Sequence, residues 1–226
     1  MNTVVSSAQR LVRVWDLPTR VFHWGLVASV VGAFVTAELG GDLMAWHFRC
    51  GYVVLTLLAF RLIWGFAGTH YARFASFPPN PAAALAYLRA GQTNGPGHNP
   101  LGAFSVYLLL AIFLLQAVTG LFANDAIMWD GPLRHLVSDD TSETLSRIHR
   151  ANEIVMYAVI GLHVLALLFY ALFKGQRLIP AMITGDKLVN AADDAPQAKD
   201  GTAKRLLAAA IVAVCAAAVA AIVLLL

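Results

Sequence analysis

His149 and His163 lie fourteen residues apart in one apolar stretch, IHRANEIVMYAVIGLHV, residues 148–164. At about 100° per residue, fourteen residues fall only about 40° short of four whole helical turns. Both imidazoles then leave one helix from nearly the same face, about 21 Å apart along its axis. Two further histidines match their depths. His23 sits near the start of the first apolar run, at the level of His163, and His47 near the start of the second, at the level of His149. Four histidines thus sort into two layers, each drawn from two helices. Polar groups inside a membrane are costly and usually functional. Facing helices of a bundle are where cofactor sites are built, and two imidazoles across a gap can ligate a haem iron from both sides. Zinc needs four ligands converging on one point, which ligands about 21 Å apart cannot provide. A proton relay of histidines stays open but explains the layers less well.

The same spacing recurs in the second run. Arg61 follows His47 by fourteen residues, so it returns to the histidine-facing side at the level of His23. A haem propionate would pair with it bidentately; the alternative is a side chain that snorkels to the headgroups. Gly51 and Gly65 lie one turn after His47 and Arg61. They would let a flat macrocycle approach the backbone, or simply let helices pack closely. Arg20, His70 and Arg73 cluster near the His23 level, as propionate holders, as part of a quinone site, or as a wet loop. At the other level Trp129 is an interfacial anchor or a cover for a haem or quinone edge. Arg49, Arg134, Arg147 and Arg150 make a candidate basic patch for an anion, a propionate or an acidic protein. His98 reads as a capping residue before Asn99-Pro100, and His135 as a surface residue. Glu153, one turn after His149, reads as structural or as a proton carrier.

These residues need membrane helices to position them. Hydrophobic residues make up 59% of the 226 and charged residues 13%, more apolar surface than a soluble domain of this size could hide. A net charge of +3 is too small to suggest nucleic acid. Five runs reach the roughly 20 residues that cross a bilayer: about 21–38, 46–68, 101–123, 147–173 and 206–226. Backbone in lipid must satisfy itself, so these are expected to be helices. The expected fold class is all-α integral membrane. Its domains are an N-terminal tail (1–20), a four-helix bundle (21–187), a flexible linker (188–205) and an extra C-terminal span (206–226). Residues 82–90 are expected to form a short interfacial helix, and Asp139-Asp140-Thr141 with Glu143 to cap the fourth span. Arg10, Arg13 and Arg20, with the basic residues after the fourth span, outweigh the arginines of the opposite loops. By the positive-inside rule the N-terminus is cytoplasmic and five crossings put the C-terminus outside. No cleaved signal peptide is expected from the polar N-terminus. Cys50 and Cys215 are not expected to pair, and no CxxCH motif supports covalent haem.

VRVWDLPTRVFHW, RLIWGFAGTHYARF, GHNPLGA and LHVLALLFYALFKGQRLIPAMITGDK, together spanning about residues 11–187, resemble the bacterial cytochrome b561 family. That family includes the b-type cytochrome subunits of nickel-iron hydrogenases and the stand-alone superoxide oxidase. The resemblance implies a four-helix bundle with two haem b groups, ligated by His23 with His163 and by His47 with His149. It implies electron transfer in the bacterial inner membrane between ubiquinone or another quinone and a redox protein at the periplasmic face. The alternative it carries is a superoxide:ubiquinone oxidoreductase. A haem-free transporter or scaffold is the third reading. The fifth span departs from the four-helix members.

Overall fold

The computed structural model describes residues 9–90, 95–191 and 194–225. Five helices are long and apolar enough to cross a membrane: α1 (Leu17–Leu39), α2 (Met44–Ala67), α4 (Pro100–Gly120), α5 (Asp139–Phe173) and α7 (Thr202–Leu225). Two short helices, α3 (Pro81–Ala90) and α6 (Leu178–Thr184), lie between them. A two-stranded antiparallel ribbon joins β1 (Gln9–Arg13) to β2 (Asp186–Asn190) with Arg13 opposite Asp186. The protein is a multi-pass helical membrane bundle, and α3 is the short helix expected near 82–90.

Helix boundaries follow local chemistry. The Asp16 side chain accepts from the Thr19 N–H and starts α1, with Pro18 in its first turn. Asn99 does the same for α4 through the Gly102 N–H, with Pro100 first in the helix. Ser138 rather than Asp139 caps α5; Asp139 and Asp140 fall in its first turn, where they complement the helix dipole. This lengthens the fourth span. Its 35 residues reach about 52 Å, well beyond a hydrocarbon layer of about 30 Å, so its polar first turns stand outside the lipid. His149 lies near the base of that projecting part.

The packing is uneven. Helix α1 runs along α2 and α4 along α5, while α2 also touches α4 and α7. Helix α5 stands off from α1 and α2 along most of its length. The core is centred on α2, where Leu58, Phe60 and Trp64 are almost wholly buried.

The ribbon closes one end of the bundle. Val12, Val14, Trp15, Tyr71 and Ala181 form a second small core there. Within the stretch 188–205, expected as a flexible linker, the end of β2 and the start of α7 fall at its two ends, and Ala195 and Ala198 join that core. Ala195 and Ala198 are buried, and Ala198 N–H donates to the Arg13 carbonyl at 2.7 Å. Small alanines and local charges read as loop from composition, but the partners that hold this segment are far away in sequence. Arg13 donates to Asp186 at 2.5 and 3.1 Å and to Asp200 at 3.3 Å. Asp200 also accepts from Arg205 and from the Leu17 N–H. Burial alone would raise the Asp200 carboxyl, but Arg205, the Leu17 N–H and Arg13 together hold it below its ordinary pKa. Lys204 donates to the Ala67 carbonyl at 2.9 Å, closing the end of α2. The fifth span is therefore lashed to the beginning of α1 and the end of α2.

Asp16 is 1% exposed and accepts from Trp64 Nε1 at 3.2 Å and Thr69 Oγ1 at 2.6 Å besides capping α1. Asp16→Ala removes a cap and leaves two buried donors without partners, a cost of about 3 kcal/mol or more. A large fall in melting temperature in detergent is expected; an unchanged melt would contradict this role. Asp200→Asn should lower the melting temperature at neutral pH. A depressed carboxylate stabilises fully above its unfolded pKa of about 3.9, so the gap between variant and wild type should close below about pH 4, as pH falls through the depressed folded value.

Candidate functional site

His47 on α2 and His149 on α5 face each other across the space between those helices. Their ring centroids are 6.2 Å apart and their planes lie at 86°. Each ring is oriented from behind. His47 Nδ1–H donates to the Ala33 carbonyl of α1 at 2.9 Å. His149 Nδ1–H donates to the Gln116 carbonyl of α4 at 3.0 Å, with Thr119 Oγ1 at 3.3 Å. A proton on Nδ1 leaves Nε2 as the lone-pair nitrogen of each ring. In His149 that nitrogen accepts from the Gln116 side-chain amide at 3.2 Å, and Gln116 is itself braced by Asn152 at 2.8 Å. An iron would take the same lone pair.

The spacing suits one metal between two imidazoles. Two bonds of about 2 Å, each ending on a ring whose centre lies about 1 Å behind its nitrogen, put the centroids about 6 Å apart. One turn along α2 from His47, a Cβ added at Gly51 would meet nothing within 4 Å. A flat group therefore has room beside His47. Gly65 behaves differently: a Cβ there would lie 2.0 Å from Phe74 Cε2, so this glycine seats an aromatic ring.

Gly120 is the tightest constraint on His149. A Cβ at this position would lie 2.8 Å from Cε1 of the imidazole. Sequence reasoning missed Gln116, Thr119, Gly120 and Asn152. The available signal was Gln116, an amide inside an otherwise apolar span.

The second layer lies toward the ribbon end. His23 is close enough to His163 to feel its charge. His23 Nδ1 is buried without a hydrogen-bond partner, and its ring meets Trp24 edge-on at 5.0 Å. Arg61 lies toward the same end of α2, 3% exposed, with its guanidinium 4.8 Å over the Phe74 ring. Its Nη1 is buried without a partner. Burial at this level excludes snorkelling to the surface.

The other expected residues make local contacts. Arg20 donates to the Ile183 carbonyl at 2.6 Å and so ties α1 to α6. His70 and Arg73 are exposed in the short turns after α2. Trp129 is half-buried, with its ring 6.0 Å from Phe48 beside His47 and its Nε1 buried without a partner. Arg150 is exposed and acts on His149 through its charge. The expected basic patch is divided among local partners: Arg49 lies over Trp46, Arg134 pairs with Asp139 and Arg147 donates to Thr144. Glu153 accepts from Tyr157 at 3.0 Å. His98 is half-buried between Trp15 and Phe77 with its Nδ1 enclosed; desolvation, with Arg61 and Lys187 nearby, pushes it down to about 3.

Comparison with known proteins agrees with this arrangement. A sequence model described as prokaryotic cytochrome b561 matches residues 14–185, from the ribbon end through all four histidines. A protein of Rhizobium leguminosarum bv. viciae is 24% identical over 81% of this chain and 91% of its own length. One of Bradyrhizobium diazoefficiens is 22% identical over 78% of this chain and 85% of its own. One of Azotobacter vinelandii is 27% identical over 50% of this chain, which spans 59% of that protein. All three are described as "Probable Ni/Fe-hydrogenase B-type cytochrome subunit". No solved structure is matched by the chain. The superoxide oxidase alternative gains no support from these relatives. Membrane helices, paired imidazoles and a match from residue 14 to residue 185 lead to one conclusion: the chain belongs to the prokaryotic cytochrome b561 family, and as a b-type cytochrome it is a carrier of haem b.

Proposed function

We propose that the protein holds two haem b groups in layers and passes electrons along them between a membrane quinone and a redox protein. The observation that carries this reading is the 6.2 Å separation of His47 and His149 with both Nδ1 protons turned away from the space between them. His23 and His163 form the second pair. Haem b, when bound, supplies one-electron chemistry, and two histidine ligands leave no open iron position. The chain's part is to hold, orient and seal. Ala33 and Gln116 fix the outer rings through their carbonyls, Gly51 leaves space beside His47, and Trp129 covers that end. Arg150 adds positive charge beside His149.

The ribbon end is assigned to the cytoplasm on its Lys and Arg content, which puts the N-terminus inside and the C-terminus in the periplasm of a bacterial inner membrane. The protein partner would then dock at the His47–His149 end. The descriptions of the relatives make a nickel-iron hydrogenase the first partner to test. The quinone would enter from the bilayer. Arg20, His70 and Arg73 share the ribbon end and remain candidates for the quinone head or a propionate there.

His149→Ala and His163→Ala should each remove one haem and keep the other, read as roughly half the reduced-minus-oxidised absorbance per chain. Two haems retained in either folded variant would contradict the pairing. Gly120→Val should displace the His149 ring and deplete the haem at that end, leaving the ribbon-end haem in place. A normal complement in Gly120→Val would show that His149 does not need this seat. The partner assignment expects haem reduction by hydrogen gas in membranes that also hold the hydrogenase, and none when the hydrogenase is absent.

A further inference from the structure

The ribbon end contains a polar arrangement that the histidine pairs do not explain. Three aromatic rings form a floor: Phe74 lies 6.0 Å from Phe77 and 5.4 Å from Tyr107, and Phe77 lies 5.8 Å from Tyr107. Two polar side chains rest on this floor. The Arg61 guanidinium is 4.8 Å over Phe74, and the His98 ring is 4.3 Å from Phe77. Arg61 Nη1 and His98 Nδ1 are both buried, and neither has a hydrogen-bond partner. The two groups come from elements distant in sequence, the end of α2 and the loop before α4, and Arg61 is close enough for its charge to act on His98.

The carboxylate that acts on Arg61 is already engaged by other donors. Arg61 lies in the field of Asp16, but both oxygens of Asp16 are taken up by Thr19, Trp64 and Thr69. Lys187, half-buried, donates to the Pro96 carbonyl and adds a second positive charge. A buried guanidinium without a bonded anion is expensive. The missing group is therefore an acceptor with negative charge, small enough to reach between a guanidinium and an imidazole N–H. A carboxylate meets that description.

We infer that Arg61 and His98 together hold the acidic edge of the haem that sits between His23 and His163. This rests on the two-layer reading above and adds a binding residue, His98, from outside the helices that supply the ligands. Arg61 contributes the charge and a planar pair of donors. His98, neutral in its aromatic box, donates from Nδ1. A haem bound there would have its carboxylates held by these donors, and the positive charge of Arg61 would favour its reduced form.

The test uses the full-length holoprotein produced with haem carrying carbon-13 in its propionate carboxyls. Reduced-minus-oxidised infrared spectra then show which bands belong to those carboxylates. His98→Gln and Arg61→Lys should retain both haems by visible spectrum, shift the labelled bands, and lower the midpoint potential of one haem while the other stays put. Arg61→Met should weaken ribbon-end haem binding by about tenfold or more, the loss expected for a charge-assisted hydrogen bond. Labelled bands and midpoints unmoved in two-haem variants would overturn the inference while leaving the histidine pairing intact. A wild-type protein without a ribbon-end haem would overturn both. If Arg61→Lys does not fold, His98→Gln still decides the matter, because its shifted or unshifted bands are read in a protein that keeps Arg61.

Discussion

The distance between the His47 and His149 rings is the quantity on which the architecture turns. On the proposed two-layer reading, α1 with α2 and α4 with α5 must stand far enough apart to admit a flat group, yet close enough for opposing imidazoles to share one metal. Close packing cannot set such a gap, because apolar side chains tend to close it. The gap is defined instead by groups behind the rings. The Ala33 carbonyl holds His47 from α1, and the Gln116 carbonyl with the bare face of Gly120 holds His149 from α4. In lipid these hydrogen bonds have no water to compete with, and they fix ring rotation as well as position.

The ribbon end supports the same arrangement differently. A bundle with a wide interior gap has less apolar contact to hold its helices in register. The chain compensates outside the bundle with β1 and β2, the Arg13–Asp186 pair and the Asp200 cluster. These contacts join residues from both ends of the chain. The fifth span takes part through Lys204 and Arg205, which connect it to α2 and to Asp200. It packs mainly along α2. Its contacts in the described structure are those of a brace.

Much of the helical scaffold was legible because lipid allows few solutions. Apolar runs of about 20 residues become helices, and fourteen-residue spacing places His149 with His163, and His47 with Arg61, on shared faces. The ribbon was not legible. Its strands are five residues each, and the paired Arg13 and Asp186 lie 173 residues apart in sequence. No short-range pattern announces such a pairing. The burial of Ala195 and Ala198, inside the stretch expected as a linker, was not legible for the same reason: alanines become buried only when a distant partner arrives. At the site, the histidines stood out as costly polar residues, whereas Gly120 and the Ala33 carbonyl did not. A glycine and a backbone oxygen carry no chemical label in a sequence, and their roles appear only when another helix is laid against them. Arg61 was readable as a buried charge from its spacing, but its companion His98 lies in a loop whose path depends on the ribbon-end core.

The most direct measurement is the number of haems per chain, taken together with the reduced-minus-oxidised spectrum of the detergent-purified protein. Two non-covalent b-type haems with low-spin spectra are the expected result. A single haem would mean that one histidine layer does not bind the cofactor. No haem in well-folded protein, even after haem is added back, would contradict the central claim that the paired imidazoles are iron ligands.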